Sequence, residues 1–145
     1  MNYQVEAVAK ERVRNGTATI VIANEVEILA TSNSSGIRGS IKLFEADWNQ
    51  YQGRLVFDKV VGKAAAMIFI KAKLRYVYGK VMSEQAYDLL KKANIEVAYD
   101  SLPSIIMNRF CTGMCPIENS VKDIDDIELG LKAIYKTLDA LMNKK

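Results

Sequence analysis

Histidine is absent from this sequence of 145 residues, and cysteine and proline occur only twice each. Histidine is the most common protein ligand of transition metals and the most common general base at neutral pH, so its absence excludes many familiar active sites. The first six residues, MNYQVE, lack the basic and apolar regions of a signal peptide. Two cysteines without an export signal predict reduced thiols, and we therefore expect a cytoplasmic protein.

Long hydrophobic runs and a strong charge of one sign are also missing. No apolar run approaches the roughly 18 residues that a membrane span requires. The net charge is +3, from 20 basic and 17 acidic residues, and this small imbalance does not indicate nucleic-acid binding. With 50% hydrophobic and 26% charged residues, the chain has the composition of a globular protein, and its length predicts a single domain over residues 1–145. We expect neither nucleic acid nor a membrane among its partners.

The hydrophobic pattern predicts helices that alternate with strands after an initial hairpin. Predicted helices cover residues 3–14, 37–47, about 62–70, 83–93 and a long final stretch that includes 127–141. Predicted strands cover residues 17–23, 26–31, 55–57, 74–82 and 95–99, and the first two are joined by a two-residue turn at Asn24-Glu25. The acidic residues between 123 and 128 suit the positive end of the final helix. This order predicts a three-layer α/β/α domain with a mixed β-sheet.

Gly62 and Lys63 stand at a predicted helix start, where they could bind an anion. Free backbone N–H groups and the helix dipole favour negative charge there, glycine permits close approach, and the lysine adds a positive charge. The alternative is that Gly62 only allows tight packing and that Lys63 is solvated. Ser83 begins the next predicted helix as its N-cap. Because ligands of open α/β sheets lie beyond the carboxyl ends of the strands, we expect these helix starts and the segment 108–118 to lie at one edge.

The segment NRFCTGMCPIENS, residues 108–120, contains both cysteines. Pro116 is typical of the first position of a helix, which places Cys115 near its N-cap. The helix dipole would stabilise the Cys115 thiolate, with help from Arg109, and would make this thiol a candidate nucleophile. Glu118 could close a capping box on the same helix. The alternative is an inert, buried cysteine beside a structural turn.

Three segments, DKVVGKAAAMI, VYGKVMSEQAYDLL and NRFCTGMCPIE, resemble an uncharacterised prokaryotic domain-of-unknown-function family. The resemblance covers nearly the whole chain from Thr17 onward and implies a cytidine deaminase-like fold. Zinc deaminases of that superfamily need a His or Cys with a Glu at one helix start, and Pro-Cys-x-x-Cys at the next. The corresponding starts here, at Gly62 and Ser83, offer neither, and the nearest carboxylate is Asp58. MCPIE imitates the second motif one strand too late, so we expect no metal site and no cofactor.

Three hypotheses for the function follow from these observations. The first is a binding protein, or a remnant enzyme, for a small anionic or nucleotide-like molecule. The second is a thiol-dependent enzyme or sulfur-handling protein that uses Cys115 as its catalytic residue. The third is a non-catalytic interaction module, such as a homodimer. In the first hypothesis Gly62 and Lys63 hold the anion, and the remaining ligand-binding candidates are Asp58, Ser83, Asn108, Arg109, Thr112, Gly113 and Glu118.

Overall fold

The computed structural model describes residues 3–34, 36–107 and 113–143. The strands in this part of the chain are β1 (Ile20–Ala23), β2 (Ile28–Ser32), β3 (Leu55–Val61), β4 (Tyr76–Met82) and β5 (Glu96–Ser101). The helices are α1 (Tyr3–Arg14), α2 (Ile37–Phe44), α3 (Lys63–Lys71), α4 (Glu84–Lys92), α5 (Pro116–Val121) and α6 (Ile127–Asn143). In this part of the chain no helix combines the length and the apolar character needed to cross a membrane.

The strands form one mixed sheet in the order β2-β1-β3-β4-β5. β1 pairs antiparallel with both β2 and β3, whereas β3, β4 and β5 run parallel. Parallel neighbours need crossover connections, and α3 and α4 supply them. The predicted mixed α/β sheet is therefore confirmed.

Helices cover both faces of the sheet, and each face has its own hydrophobic core. On one face α1 buries Val5, Ala9 and Val13 against sheet side chains that include Phe57. On the other face α3 is buried along residues 64–69 and packs against α4, α5 and α6. A helix that is apolar on all sides has to be enclosed, which explains the central position of the alanine-rich α3.

Several elements differ from their predicted bounds, and β3 and the hairpin turn show local reasons for this. β3 continues through Asp58 to Val61, beyond the predicted end at residue 57, because pairing with β4 as far as Met82 outweighs its polar residues. The hairpin turn is longer than two residues. The Asn24 side chain accepts hydrogen bonds from the N–H groups of Val26 and Glu27, so the turn takes up residues 24–27.

The parallel direction of β3, β4 and β5 brings their carboxyl ends to one edge of the sheet, which we call the carboxyl edge. α3 begins directly after β3, and α4 begins directly after β4. The N–H of Ser83 donates to the carbonyl of Val61 at 3.0 Å, which joins the two helix starts. The predicted convergence of Gly62 and Ser83 is confirmed.

Candidate functional site

The start of α3 is capped by a carboxylate from a distant part of the chain. The backbone N–H of Lys63 donates to Glu118 Oε1 at 2.6 Å, and that of Ala64 donates to Oε2 at 3.0 Å. Glu118 lies in α5 and is buried. Its carboxylate satisfies N–H groups that have no partner within the helix and lies at the positive end of the dipole. The helix start expected to hold an external anion thus already holds an internal one.

Gly62 is needed for the space that its missing side chain leaves. Its backbone is extended, with φ −95°, a conformation that any residue can adopt. A Cβ at this position, however, would overlap the Glu118 carboxylate. The close approach predicted for a ligand is therefore made by Glu118. This contact also means that Glu118 caps α3 and does not form the capping box predicted on α5.

Burial and hydrogen bonding act in opposite directions on Glu118. Burial raises the pKa of its carboxyl group, and this is the larger effect. The N–H groups of Ala64 and Lys63, together with the Lys63 ammonium, favour the ionised form and lower the pKa. Glu118 is consequently a carboxylate whose charge depends on its contacts with the start of α3.

The Lys63 side chain is buried, in contrast to the solvated alternative considered from the sequence. Its ammonium lies 2.7 Å from Asp125 Oδ1, and it donates to the carbonyl of Lys122 at 3.2 Å. The exposed fractions of the two side chains differ greatly, at 5% for Lys63 and 77% for Asp125. The Lys63 ammonium lowers the pKa of Asp125. A buried cation is thus paired with an anion that remains largely in water.

A groove of about 350 Å³ opens where Lys63 meets α4 and the α5–α6 turn. Three ammonium groups and three carboxylates line it, together with Gln85, whose side-chain amide donates to the carbonyl of Lys122 at 3.1 Å. The full lining is Lys63, Gln85, Asp88, Leu89, Lys92, Lys122, Asp123 and Asp125. Its volume lies in the range of small-molecule sites, and its lining is charged.

Ser83 lies at the carboxyl edge, whereas Asp58 lies in the middle of β3. Ser83 is the N-cap of α4, as predicted, and its buried hydroxyl accepts from the N–H of Ala86 at 3.1 Å. Asp58 is buried in β3, and burial raises the pKa of its carboxyl group to about 7. The N–H groups of Val60 and Lys59 oppose this shift. The ionised form of Asp58 is thus stabilised by backbone N–H groups of its own strand, those of Lys59 and Val60.

Cys115 is the N-cap of α5, and Pro116 occupies the start of that helix as predicted. Cys115 is half-buried and packs against the hydrophobic core on the α3 face of the sheet. Its backbone N–H donates to the carbonyl of Ile106 at 2.9 Å. Gly113 is half-buried just before it. The candidates Asn108, Arg109 and Thr112 lie outside the described residues. A catalytic role for Cys115 stays a prediction.

The described residues contain no group of three or more His, Cys, Asp and Glu side chains that could hold a metal ion. At the starts of α3 and α4 the sequence reads Gly-Lys-Ala and Ser-Glu-Gln. Neither start carries the sulfur or nitrogen ligands of a zinc deaminase. The MCPIE segment begins α5, one strand after these two starts.

Among the predicted residues, the structure brings Gly62, Lys63 and Glu118 into direct contact. The groove itself and the role of Asp125 were not predicted from the sequence. The helix dipole alone explained the acidic residues before α6. One of them, Asp126, does cap α6 by accepting a hydrogen bond from the N–H of Leu129. No local signal distinguishes Asp125 from its neighbours, because its partner lies 62 positions earlier in the chain.

Comparison with known proteins identifies the family. The family model "TM1506: Domain of unknown function (DUF1893)" matches residues 8–138. A crystal structure of a DUF1893 family protein (TM1506) from Thermotoga maritima has 26% sequence identity and a TM-score of 0.82 over 97% of this chain and 92% of that one. The apo dCMP deaminase of the cyanophage S-TIM5, with 11% identity and a TM-score of 0.53 over 68% of this chain and 99% of that one, shares the fold alone. No curated protein matches the chain. The resemblance noted in the sequence is confirmed: the chain belongs to the DUF1893 family and has a fold similar to that of a deaminase.

Proposed function

We propose that this protein binds a small anionic ligand in the groove beside α3, with Lys63 as the anchor. The observation that supports this is the unequal ion pair between the buried Lys63 ammonium and the exposed Asp125 carboxylate. In this proposal Asp125 is an internal counter-ion that the ligand replaces. The hypothesis of an anion at Lys63 is kept, while the backbone N–H groups of α3 remain bound to Glu118.

The energetics of the pair favour such an exchange. A buried ammonium without a counter-ion is costly, so Lys63 requires an anion at all times. Asp125 keeps most of its contact with water while it is paired, and it regains the rest when it leaves. An anionic ligand oxygen in the same place would supply the same charge-assisted hydrogen bond. The groove offers Lys92, Lys122 and the Gln85 amide for its remaining oxygens.

The lining also restricts the class of ligand. The carboxylates of Asp88 and Asp123 oppose a high negative charge, which favours a ligand with one phosphate or carboxylate group. Nucleoside monophosphates belong among the compounds to test because the fold is similar to that of a dCMP deaminase. We further propose that the protein acts in the cytosol, where the free thiol of Cys115 stays reduced.

Substitutions of the two partners are expected to change ligand binding in opposite directions. Lys63→Met should weaken binding of a phosphate-bearing ligand by roughly 10- to 100-fold, because a charge-assisted hydrogen bond contributes about 1.5–3 kcal/mol. Asp125→Asn should tighten it, because the internal competitor is lost. Isothermal titration calorimetry at low ionic strength measures both, after a thermal-shift screen of inorganic phosphate, sugar phosphates and nucleoside monophosphates.

The pair formed by Lys71 and Glu128 provides the control. Its N–O distance is also 2.7 Å, but its lysine side chain is 33% exposed, and it joins the other end of α3 to α6. Lys71→Met and Glu128→Gln should leave ligand binding unchanged. The proposal is wrong if no compound raises the melting temperature of the wild type or of Asp125→Asn, or if Lys63→Met binds as the wild type does.

A further inference from the structure

A second groove, of about 400 Å³, opens at the opposite edge of the sheet. It lies where the β1–β2 turn meets the entries to β3 and β4. Its lining consists of Asn24, Glu25, Val26, Gly53, Arg54 and Arg75. None of these residues belongs to the groove beside α3, so a ligand at this edge would bind independently of the anion proposed for Lys63.

The register of the sheet places the polar side chains of this groove in one row. Ala23 of β1 pairs with Leu55 of β3, and Leu55 pairs with Tyr76 of β4. The residues one step further along, Asn24, Arg54 and Arg75, therefore follow one another across three neighbouring strands. The N–H of Arg75 donates to the carbonyl of Arg54 at 2.9 Å, which confirms that the two arginines are neighbours. Like charges on adjacent strands repel each other.

The protein neutralises only one of these two guanidinium groups. Arg75 donates to Glu25 Oε1 at 2.8 Å and makes a longer hydrogen bond to the carbonyl of Gly53 at 3.4 Å. Among the described residues, no hydrogen bond or ion pair engages the Arg54 side chain. The groove thus holds two guanidinium groups and one carboxylate, which pairs with Arg75 alone, and it keeps a positive charge next to unused donors on Arg54. Guanidinium groups bind phosphate through paired hydrogen bonds.

We propose that this groove binds the phosphate group of a phosphomonoester between Arg54 and Arg75. Val26 lies on the rim of the groove and is 73% exposed, although it is apolar. Contact with the organic part of a ligand would remove this side chain from water, which favours an ester over inorganic phosphate. The ligand class is therefore a phosphomonoester with an apolar or aromatic body.

The test uses inorganic phosphate and phenyl phosphate as probes, with binding followed by calorimetry and by NMR shifts of the amides in residues 24–26, 54 and 75. Arg54→Gln should weaken binding of both probes at this groove by at least about tenfold, the scale of one charge-assisted hydrogen bond. Val26→Thr should weaken binding of phenyl phosphate and leave that of inorganic phosphate unchanged. Arg38→Gln, at an exposed arginine of α2, makes the same change of charge elsewhere and should alter neither.

The outcomes separate this site from the groove beside α3. Shifts at residues 24–26, 54 and 75 should persist in Lys63→Met, because that substitution lies at the other edge of the sheet. If Arg54→Gln and Arg38→Gln weaken binding equally, the attraction is only the general charge of the protein and the site is wrong. If only inorganic phosphate binds, or if neither probe shifts these amides, the assignment to a phosphomonoester is overturned.

Discussion

Gly62→Ala is expected to destabilise the protein by about 2–4 kcal/mol. The added Cβ would overlap the Glu118 carboxylate, which would have to leave the N–H groups of Lys63 and Ala64. The cost combines crowding in a packed site with the loss of hydrogen bonds to a charged group. Urea denaturation of the two proteins at pH 7 measures the difference. If the contact with Glu118 did not require glycine, Gly62→Ala would leave the free energy of unfolding almost unchanged, because the extended backbone of Gly62 is open to any residue.

A double-mutant cycle assigns this loss to the contact with Glu118. Glu118→Ala should itself cost about 2–5 kcal/mol, because it leaves buried N–H groups without partners. In that background the Gly62→Ala change should cost less than about 1 kcal/mol, since the alanine methyl then enters vacated space. Gly113→Ala is the control, because a Cβ there meets no atom within 4 Å. Additive effects of the two substitutions would show that the carboxylate is not the reason for the glycine.

The free energy of unfolding of Asp58→Asn is expected to rise relative to that of the wild type as the pH rises from 4 to 8. Burial raises the Asp58 pKa from 3.8 to about 7, so between these values the folded state keeps a proton that the unfolded state has lost. The stability of the wild type must then fall as the pH rises through this window. The difference between the free energies of unfolding of the two proteins should grow by on the order of 3–4 kcal/mol over this range, because each unit of pKa difference corresponds to about 1.36 kcal/mol. Asparagine does not titrate and removes this dependence.

The comparison with Asp58→Asn isolates the contribution of Asp58 from those of the other carboxyl groups. Glu118 also has a raised pKa, but it is present in both proteins and cancels in the difference. Asp139→Asn, at an exposed position of α6, makes the same chemical change elsewhere and serves as the control. Chemical denaturation at half-unit pH intervals provides the data. A constant difference between Asp58→Asn and the wild type would mean that the carboxyl group of Asp58 has the same pKa in the folded and unfolded states.

The order of helices and strands could be predicted because its signals are local. The buried alanine-rich run after Gly62 indicated α3, and Ser83 indicated the start of α4 through the same hydrogen bond that the structure contains. The mixed sheet followed from the alternation of these elements. The end of β3 was missed because Asp58 and Lys59 are polar residues, whose place in the strand depends on partners in β1 and β4.

The candidate site could be predicted only as far as its position. Helix starts after parallel strands lie at the carboxyl edge in any such sheet, so Gly62, Lys63 and Ser83 could be placed there together. What occupies the start of α3 could not be predicted, because an external anion and the Glu118 carboxylate satisfy the same N–H groups equally well. The burial of Lys63 and its pairing with Asp125 likewise leave no periodic or compositional trace in the sequence.

The sequence by itself therefore determined the order of helices and strands, the fold class and the family, since these depend on hydrophobic periodicity, on capping residues and on the resemblance of whole segments. The tertiary structure alone decided that Gly62 makes room for Glu118 and that Lys63 is buried against Asp125. It also decided that Arg54 and Arg75 stand side by side at the opposite edge. The physical reason is distance along the chain: the contacts of Lys63 with Glu118 and Asp125 span 55 and 62 positions. Such contacts form only when the sheet and its helices have brought distant segments together.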